Sequence, residues 1–247
     1  MYSQIAPYYD ALHQDVQSDI QFLLTLLNEK PHTIIDLGCG SGRISIPLAA
    51  AGHTVWGVDN SAAMFKRMAR NLSRSHSGAA VSIQTVLADL QAYQLPKQTN
   101  EMAILGYNTA MHFDQAGLQA ILNATYQHLR ADGELVIDLS NPFDLHQFEE
   151  ESNLFSDEYE IEMEGRVVIV GSRMEIDQSS QSFVLSWRFE DKEQVIEASE
   201  TFYYYFPHQL QLLLEESRFK LNAIYGDYLF SPFEDESDRL ILLASKI

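Results

Sequence analysis

Ile34-Ile35-Asp36-Leu37-Gly38-Cys39-Gly40-Ser41-Gly42-Arg43 is an apolar run that gives way to glycine at every second position. The run reads as the end of a buried strand. The glycines let the chain turn sharply and bring its backbone against a ligand before a helix begins. A dinucleotide fingerprint needs glycine at the first, third and sixth places of such a loop. Here glycine holds the first, third and fifth (Gly38, Gly40, Gly42) and Arg43 the sixth, which speaks against a nicotinamide oxidoreductase. No Gly-Lys-Ser/Thr follows, so a phosphate-cradling nucleotide loop is excluded.

Outward from this loop, short apolar runs alternate with helical stretches. Ile34–Leu37, Thr54–Val58, Val81–Leu87, Met102–Leu105 and Glu134–Leu139 read as strands. Gly42–Ala51, Ala62–Arg74 and Gln115–Leu129 carry apolar positions at helical spacing. The alternation predicts an α/β fold, a Rossmann-like doubly wound, mainly parallel sheet whose ligand sits at the carboxyl ends of the strands. After Leu139 the pattern changes. Glu158–Glu164 alternates Tyr159, Ile161 and Met163 with four glutamates. Arg166–Ile176, the alternating Phe183, Leu185, Trp187 and Phe189, and Val195–Phe206 continue as further strands, predicting an antiparallel sheet inserted after strand five. Pro207 opens a helix over His208–Ser217, and Leu240–Ser245 reads as a strand returning to the main sheet. The expected layout is a main domain of residues 1–140 and 207–247, with 141–206 as an acceptor cap or the surface of a homodimer.

Composition narrows the function. The 247 residues hold 16 basic and 35 acidic side chains, a formal charge of −19, which disfavours nucleic acid as a partner. Residues 141–200 account for −12 of it, with 16 acidic and 4 basic side chains. This excess reads first as a solvated surface, and second as attraction for an amine. No apolar run reaches the ~20 residues of a membrane span, and no Lys or Arg precedes Lys30 to start a signal peptide. The single Cys39 fits a reducing, cytoplasmic setting. The histidines show no metal-ligand spacing, and no metal is expected.

Asp36-Leu37-Gly38-Cys39-Gly40-Ser41-Gly42 resembles motif I of the class I S-adenosylmethionine-dependent methyltransferases. Val55-Trp56-Gly57-Val58-Asp59 resembles the second strand of that family, with Asp59 lying 21 residues after Gly38. Ala88-Asp89-Leu90 resembles the third motif, Leu105-Gly106-Tyr107-Asn108 the segment after strand four, and Leu129–Glu134 the turn before strand five. Tyr2…Ala6-Pro7-Tyr8-Tyr9-Asp10 and Phe230-Ser231-Pro232-Phe233 with Ser237 and Arg239 look like the lid and C-terminal segments of its small-molecule members, above all those that methylate amino groups of sugars. Glu101, where an aspartate is common, and Arg218, where the last helix often ends in glycine, depart from the pattern.

The resemblance implies S-adenosylmethionine as cofactor and S-adenosylhomocysteine as product. It implies Asp36, Gly38 and Gly40 as contacts, Asp59 as acceptor for both ribose hydroxyls, with Asn60 beside it, and Met64 against the adenine. Asp89 would accept from the adenine amino group or cap a helix, and the backbone amide of Leu90 would meet a ring nitrogen. Gly106 and Tyr107 would receive the methionine part. Tyr8 and Tyr9 would face the sulfonium or donate to the cofactor's carboxylate. Gly42 is read as a packing position, Cys39 as a small buried apolar residue, and Arg43 as reaching a carboxylate or pairing within the first helical turn. His112 would act as a base for the acceptor's proton, or cap and pack. The expected activity is methyl transfer to a nitrogen or oxygen of a small-molecule acceptor, by in-line displacement. The runner-up is a cofactor-binding protein without turnover that acts through its inserted sheet.

Overall fold

The computed structural model describes residues 2–14, 16–28, 30–75, 82–96, 100–147, 156–163 and 165–247. Val81 and Glu164, assigned above to strands, and His76 lie outside them.

Two helices, α1 (Tyr2–Leu12) and α2 (Ser18–Leu26), precede β1 (Thr33–Leu37). Then come α3 (Ser45–Ala50), β2 (Thr54–Asp59), α4 (Ala62–Ser75), β3 (Ser82–Leu87), β4 (Asn100–Leu105), a 3-10 turn over Thr109–His112, α5 (Gln115–His128) and β5 (Leu129–Ser140). A short helix, α6 (Pro142–Gln147), leads to β6 (Ser156–Met163), β7 (Arg166–Asp177), β8 (Ser182–Glu190) and β9 (Val195–Tyr203). The chain closes with α7 (Pro207–Glu216), β10 (Phe219–Tyr225) and β11 (Arg239–Lys246).

Seven strands form the main sheet in the order β10-β11-β5-β4-β1-β2-β3, and β6-β7-β8-β9 form a separate sheet. The strands from β3 through β5 run parallel, while β11 is antiparallel to both β5 and β10. Ile34, Ile35 and Leu37 in β1, Met102 to Leu105 in β4, and Leu135 to Ile137 in β5 are all buried. Unbroken apolar runs are what strands covered on both faces require. Each such side chain larger than that of Ala103 contributes about 1.5–3 kcal/mol. The edge strand β3 is largely exposed, with only Ile83 and Val86 half-buried. Connections diverge between β1 and β4, and crevices open at such switch points.

Several boundaries differ from the expected ones for local reasons. Gly42 takes φ +84°, so α3 begins only at Ser45. The segment Leu129–Glu134 is a bulge inside β5, with Asp132 left-handed at φ +57° and the pairing to β4 shifting register there. β9 stops at Tyr203: Phe206 is the N-cap of α7, and its amide donates to Gln209 Oε1 at 2.9 Å. β10 escaped the sequence pattern because Arg218 stands, at φ +64°, where a glycine would have marked the end of the helix.

The inserted sheet is tied to the N-terminus. Tyr8 stacks on Phe189 at 4.1 Å between centroids, and Ile5 and Tyr8 share a buried cluster with Ile161, Val168, Val170 and Ala198. On its other side α1 docks on α4, where Asp10 accepts from Arg67 and from Asn71 Nδ2 (3.0 Å).

Candidate functional site

The glycine turn is built by sterics. Gly38 at φ +75° donates its amide to Val58 O at 2.8 Å, and a Cβ there would lie 2.5 Å from Thr109 Cγ2. A Cβ at Gly40 would meet nothing closer than 3.9 Å, so this glycine faces open space. That space is a cleft of about 970 Å³, including its mouth, where β1, β2 and β4 end.

Asp36 and Asp59 form its acidic floor. Asp36 is fully buried and accepts from Ser45 Oγ at 2.5 Å, and burial raises its carboxyl to about pKa 6 against that bond. Asp59 accepts from Gly40 N (2.9 Å) on one oxygen and Ser61 N (2.8 Å) on the other. Desolvation raises its pKa while those amides oppose the shift. These amides, with that of Asn60 beside them, aim the carboxylate and leave it capacity to accept from a further donor.

Asn60, Met64, Leu90, Gly106, Tyr107 and Tyr9 also line the cleft. Burial pushes the Tyr9 hydroxyl up to about pKa 12, with Arg43 pulling the other way. Arg43 also lines the cleft, its guanidinium 4.6 Å from the centre of the Tyr107 ring. It pairs with Asp19 at 2.7 and 3.0 Å, on α2 and outside the first turn of α3. Burial would lower its pKa, but the Asp19 bonds prevail and raise it.

Tyr107 and Asn108 are consecutive left-handed residues, at φ +45° and +68°. Outside glycine such conformations cost about 1–2 kcal/mol each. Asp138, at the end of β5, accepts from Tyr107 N at 3.1 Å, and Asn108 Oδ1 accepts from Ser140 N at 2.7 Å. Arg239 belongs to the C-terminal segment marked by the resemblance, whereas Asp138 was not singled out from the sequence. A charged residue inside the apolar run Leu135–Leu139 was the available signal.

His112 lines the cleft at the end of the 3-10 turn. The cap of α5 is Asp114, whose Oδ1 accepts from Gly117 N at 2.8 Å, so the imidazole is not spent on capping. Its Nδ1 lies 2.8 Å from Glu200 Oε1 on β9, and its ring packs 4.6 Å from Phe202. Glu200 also lines the cleft. An acidic residue in an alternating strand gave no sign that it would arrive here.

Two expected contacts fall elsewhere. Tyr8 lies in the α1–β8 packing described above and does not line the cleft. Asp89 is exposed and outside the lining, its Oδ1 accepting from Gln91 N at 2.9 Å in a local turn. Gly42 packs, since a Cβ there would lie 2.8 Å from Met68 Cγ. Cys39 is buried, and desolvation raises its thiol pKa well above the ordinary value, an inert state. Among the described residues no cluster of three or more His, Cys, Asp or Glu could hold a metal ion. No helix among them is long and apolar enough to cross a membrane.

This strand order, with a glycine turn after β1 and a carboxylate closing β2, is the class I S-adenosylmethionine-dependent methyltransferase fold. Within it, residues 34–133 match the family described as methyltransferase domain. Carboxy-S-adenosyl-L-methionine synthase of Yersinia pestis is 32% identical over 108 residues, 42% of this chain and 39% of that protein. The chain thus matches well under half the length of such curated relatives. Among solved structures, the CcbJ methyltransferase from Streptomyces caelestis superposes with a TM-score of 0.77 at 19% identity, over 93% of this chain and 95% of that one. S-adenosylmethionine-bound CalS10 from Micromonospora echinaspora, an amino pentose methyltransferase, gives 0.67 at 16% identity over 97% of each chain. At these identities the likeness is one of fold. The cleft suits a cationic nucleoside such as the S-adenosylmethionine bound to CalS10: Gly40 leaves room at the loop, Asp59 presents aimed acceptors, and two carboxylates favour a cation.

Proposed function

We propose that this chain transfers a methyl group from S-adenosylmethionine to a nitrogen or oxygen of a small-molecule acceptor, by in-line displacement. The observation that carries the reading is the convergence of Asp36, Asp59, His112 and Glu200 on one cleft at the sheet's switch point. When bound, the cofactor supplies a methyl carbon activated by a positively charged sulfur. The chain's task is then to bind and align. Asp59 would hold the ribose hydroxyls, the wall at Met64 and Leu90 the adenine, and the Gly106–Tyr107 segment with Tyr9 the methionine part. His112 would take a proton from an acceptor that arrives protonated.

The inserted sheet, with α1 locked to it through Tyr8 and Phe189, would cap the cleft and select the acceptor. The acidity of that sheet and the amino sugar substrate in the name of CalS10 both favour nitrogen as the methylated atom. A single buried, unreactive cysteine suits a cytoplasmic setting.

A screen of small amines, phenols and carboxylates, read by release of S-adenosylhomocysteine, tests the reading. Turnover with a subset of amines is expected. Tight S-adenosylmethionine binding with no release across the screen would favour binding without catalysis instead.

A further inference from the structure

The consecutive helices α1 and α2 are anchored in different cores. Phe22 and Leu23 of α2 sit with Ile34, Met102 and Val136 in a buried cluster of the main sheet. The residues of α1 that join a buried cluster, Ile5, Tyr8, Ala11 and Leu12, all join that of the inserted sheet, around Val168, Val170 and Phe189. Among the described residues, none of α1 enters a cluster of the main sheet. α1 is tied to α4 instead by polar groups. Asp10 accepts from Arg67 and from Asn71 Nδ2, and the same Nδ2 reaches Ser41 O of the glycine turn at 3.2 Å. The side chains of Asp10 and Arg67 are 29% and 18% exposed. Water replaces such bonds at little cost, whereas parting Tyr8 from Phe189 bares apolar surface. This weaker seam borders the cleft: Tyr9, next to Asp10, and Met64, one turn before Arg67 on α4, both line it.

We propose that α1 and the adjoining end of the inserted sheet move as one body, and that the seam closed by Asp10, Arg67 and Asn71 is the gate of the cleft. For the ligand that passes it, S-adenosylmethionine inward and S-adenosylhomocysteine outward, this rests on the methyl-transfer reading. Phe183 and Phe202, paired across β8 and β9, are packed in the core of the main sheet and hold one end of the inserted sheet in place. The end that swings is the one at Val170 and Phe189, paired across β7 and β8, which carries α1. Opening gives the polar contacts of Asp10, and that between Tyr9 and Arg43, to water. It withdraws Tyr9 from the cleft while Tyr8 stays stacked on Phe189. A ligand that Tyr9 helps to enclose favours the closed state by the extra affinity of that state. Cofactor gate and acceptor cap thus close together.

Distances between paired spin labels in the full chain test the motion. Cys39, the single native cysteine, is buried and does not take the label. Gln4→Cys with Ala69→Cys spans the seam, and Gln4→Cys with Val167→Cys joins α1 to the inserted sheet; all three positions are exposed. Arg67→Met should lengthen the first distance and leave the second as in the wild type. In stopped-flow displacement, S-adenosylhomocysteine should leave Arg67→Met roughly fivefold faster than the wild type. A first distance unchanged by Arg67→Met, a second that lengthens with it, or a lengthened first distance with wild-type dissociation overturns the proposal. Should Arg67→Met not fold, Asp10→Asn, which removes the charge and keeps an acceptor oxygen, is read by the same criteria. Failure of the wild type to bind S-adenosylhomocysteine would instead remove the methyl-transfer reading, with the two distances still deciding whether α1 and the inserted sheet move together.

Discussion

Arg239 donates twice to Asp138 Oδ1, from Nε at 3.0 Å and from Nη2 at 2.7 Å, and this pair braces the backbone of Tyr107, which lines the cleft. The other oxygen of Asp138 accepts from Tyr228 OH (3.0 Å) and Tyr107 N (3.1 Å). Nη2 of Arg239 also reaches Asn108 Oδ1 at 3.1 Å. A strand from the C-terminus thereby stabilises two strained residues that follow β4.

Removing one partner of a buried pair leaves the other charge without compensation. Arg239→Met should cost about 3–5 kcal/mol, measured by urea unfolding, and Asp138→Asn added to it should recover part of the loss. An unchanged unfolding midpoint in Arg239→Met would show that the pair does not support the fold.

Asp59→Ala removes the acceptor aimed by Gly40 and Ser61. The ribose hydroxyls would lose charge-assisted bonds worth about 2–3 kcal/mol, roughly 30- to 150-fold in S-adenosylmethionine affinity. Calorimetric affinity equal to the wild type would remove the ribose assignment.

Asp36 sets a pH dependence with opposite signs for stability and binding. Its carboxyl titrates at about 6 in the fold against an ordinary value of 3.8. As pH falls from 6 towards 4 the folded state takes up a proton that the unfolded state does not, so this group's contribution to stability rises. Affinity for a cationic ligand should fall over the same window, because the cleft loses a negative charge. At pH 8, Asp36→Asn should stabilise the fold by about 1–3 kcal/mol while weakening S-adenosylmethionine binding. Loss of stability in that variant at pH 8 would contradict the burial cost.

Arg218 occupies a left-handed position after α7, with its amide on Glu215 O and its carbonyl on Ile247 N, both at 3.0 Å. Glycine meets no steric penalty there, while its extra freedom in the unfolded chain offsets part of the gain. Arg218→Gly should therefore add about 0.5–1 kcal/mol to stability. A lower melting temperature would mean that the side chain's packing over Tyr126, 5.7 Å from the ring centre, is the larger effect.

Local patterning decided the parallel sheet, the antiparallel insertion and the line of Asp36, Gly38, Gly40 and Asp59, because strand period, glycine turns and strand-end carboxylates are written over a few consecutive residues. The edge strand Phe219–Tyr225 was hidden only because an arginine stands where a glycine would have punctuated the chain. Which side chains meet across the cleft was settled in three dimensions. Glu200 reaches His112 across 88 positions and Arg239 reaches Asp138 across 101, while Tyr8, adjacent to Tyr9, turns away to stack on Phe189. Contacts of that span depend on how two sheets and a helix pack together, and no period in the chain encodes them.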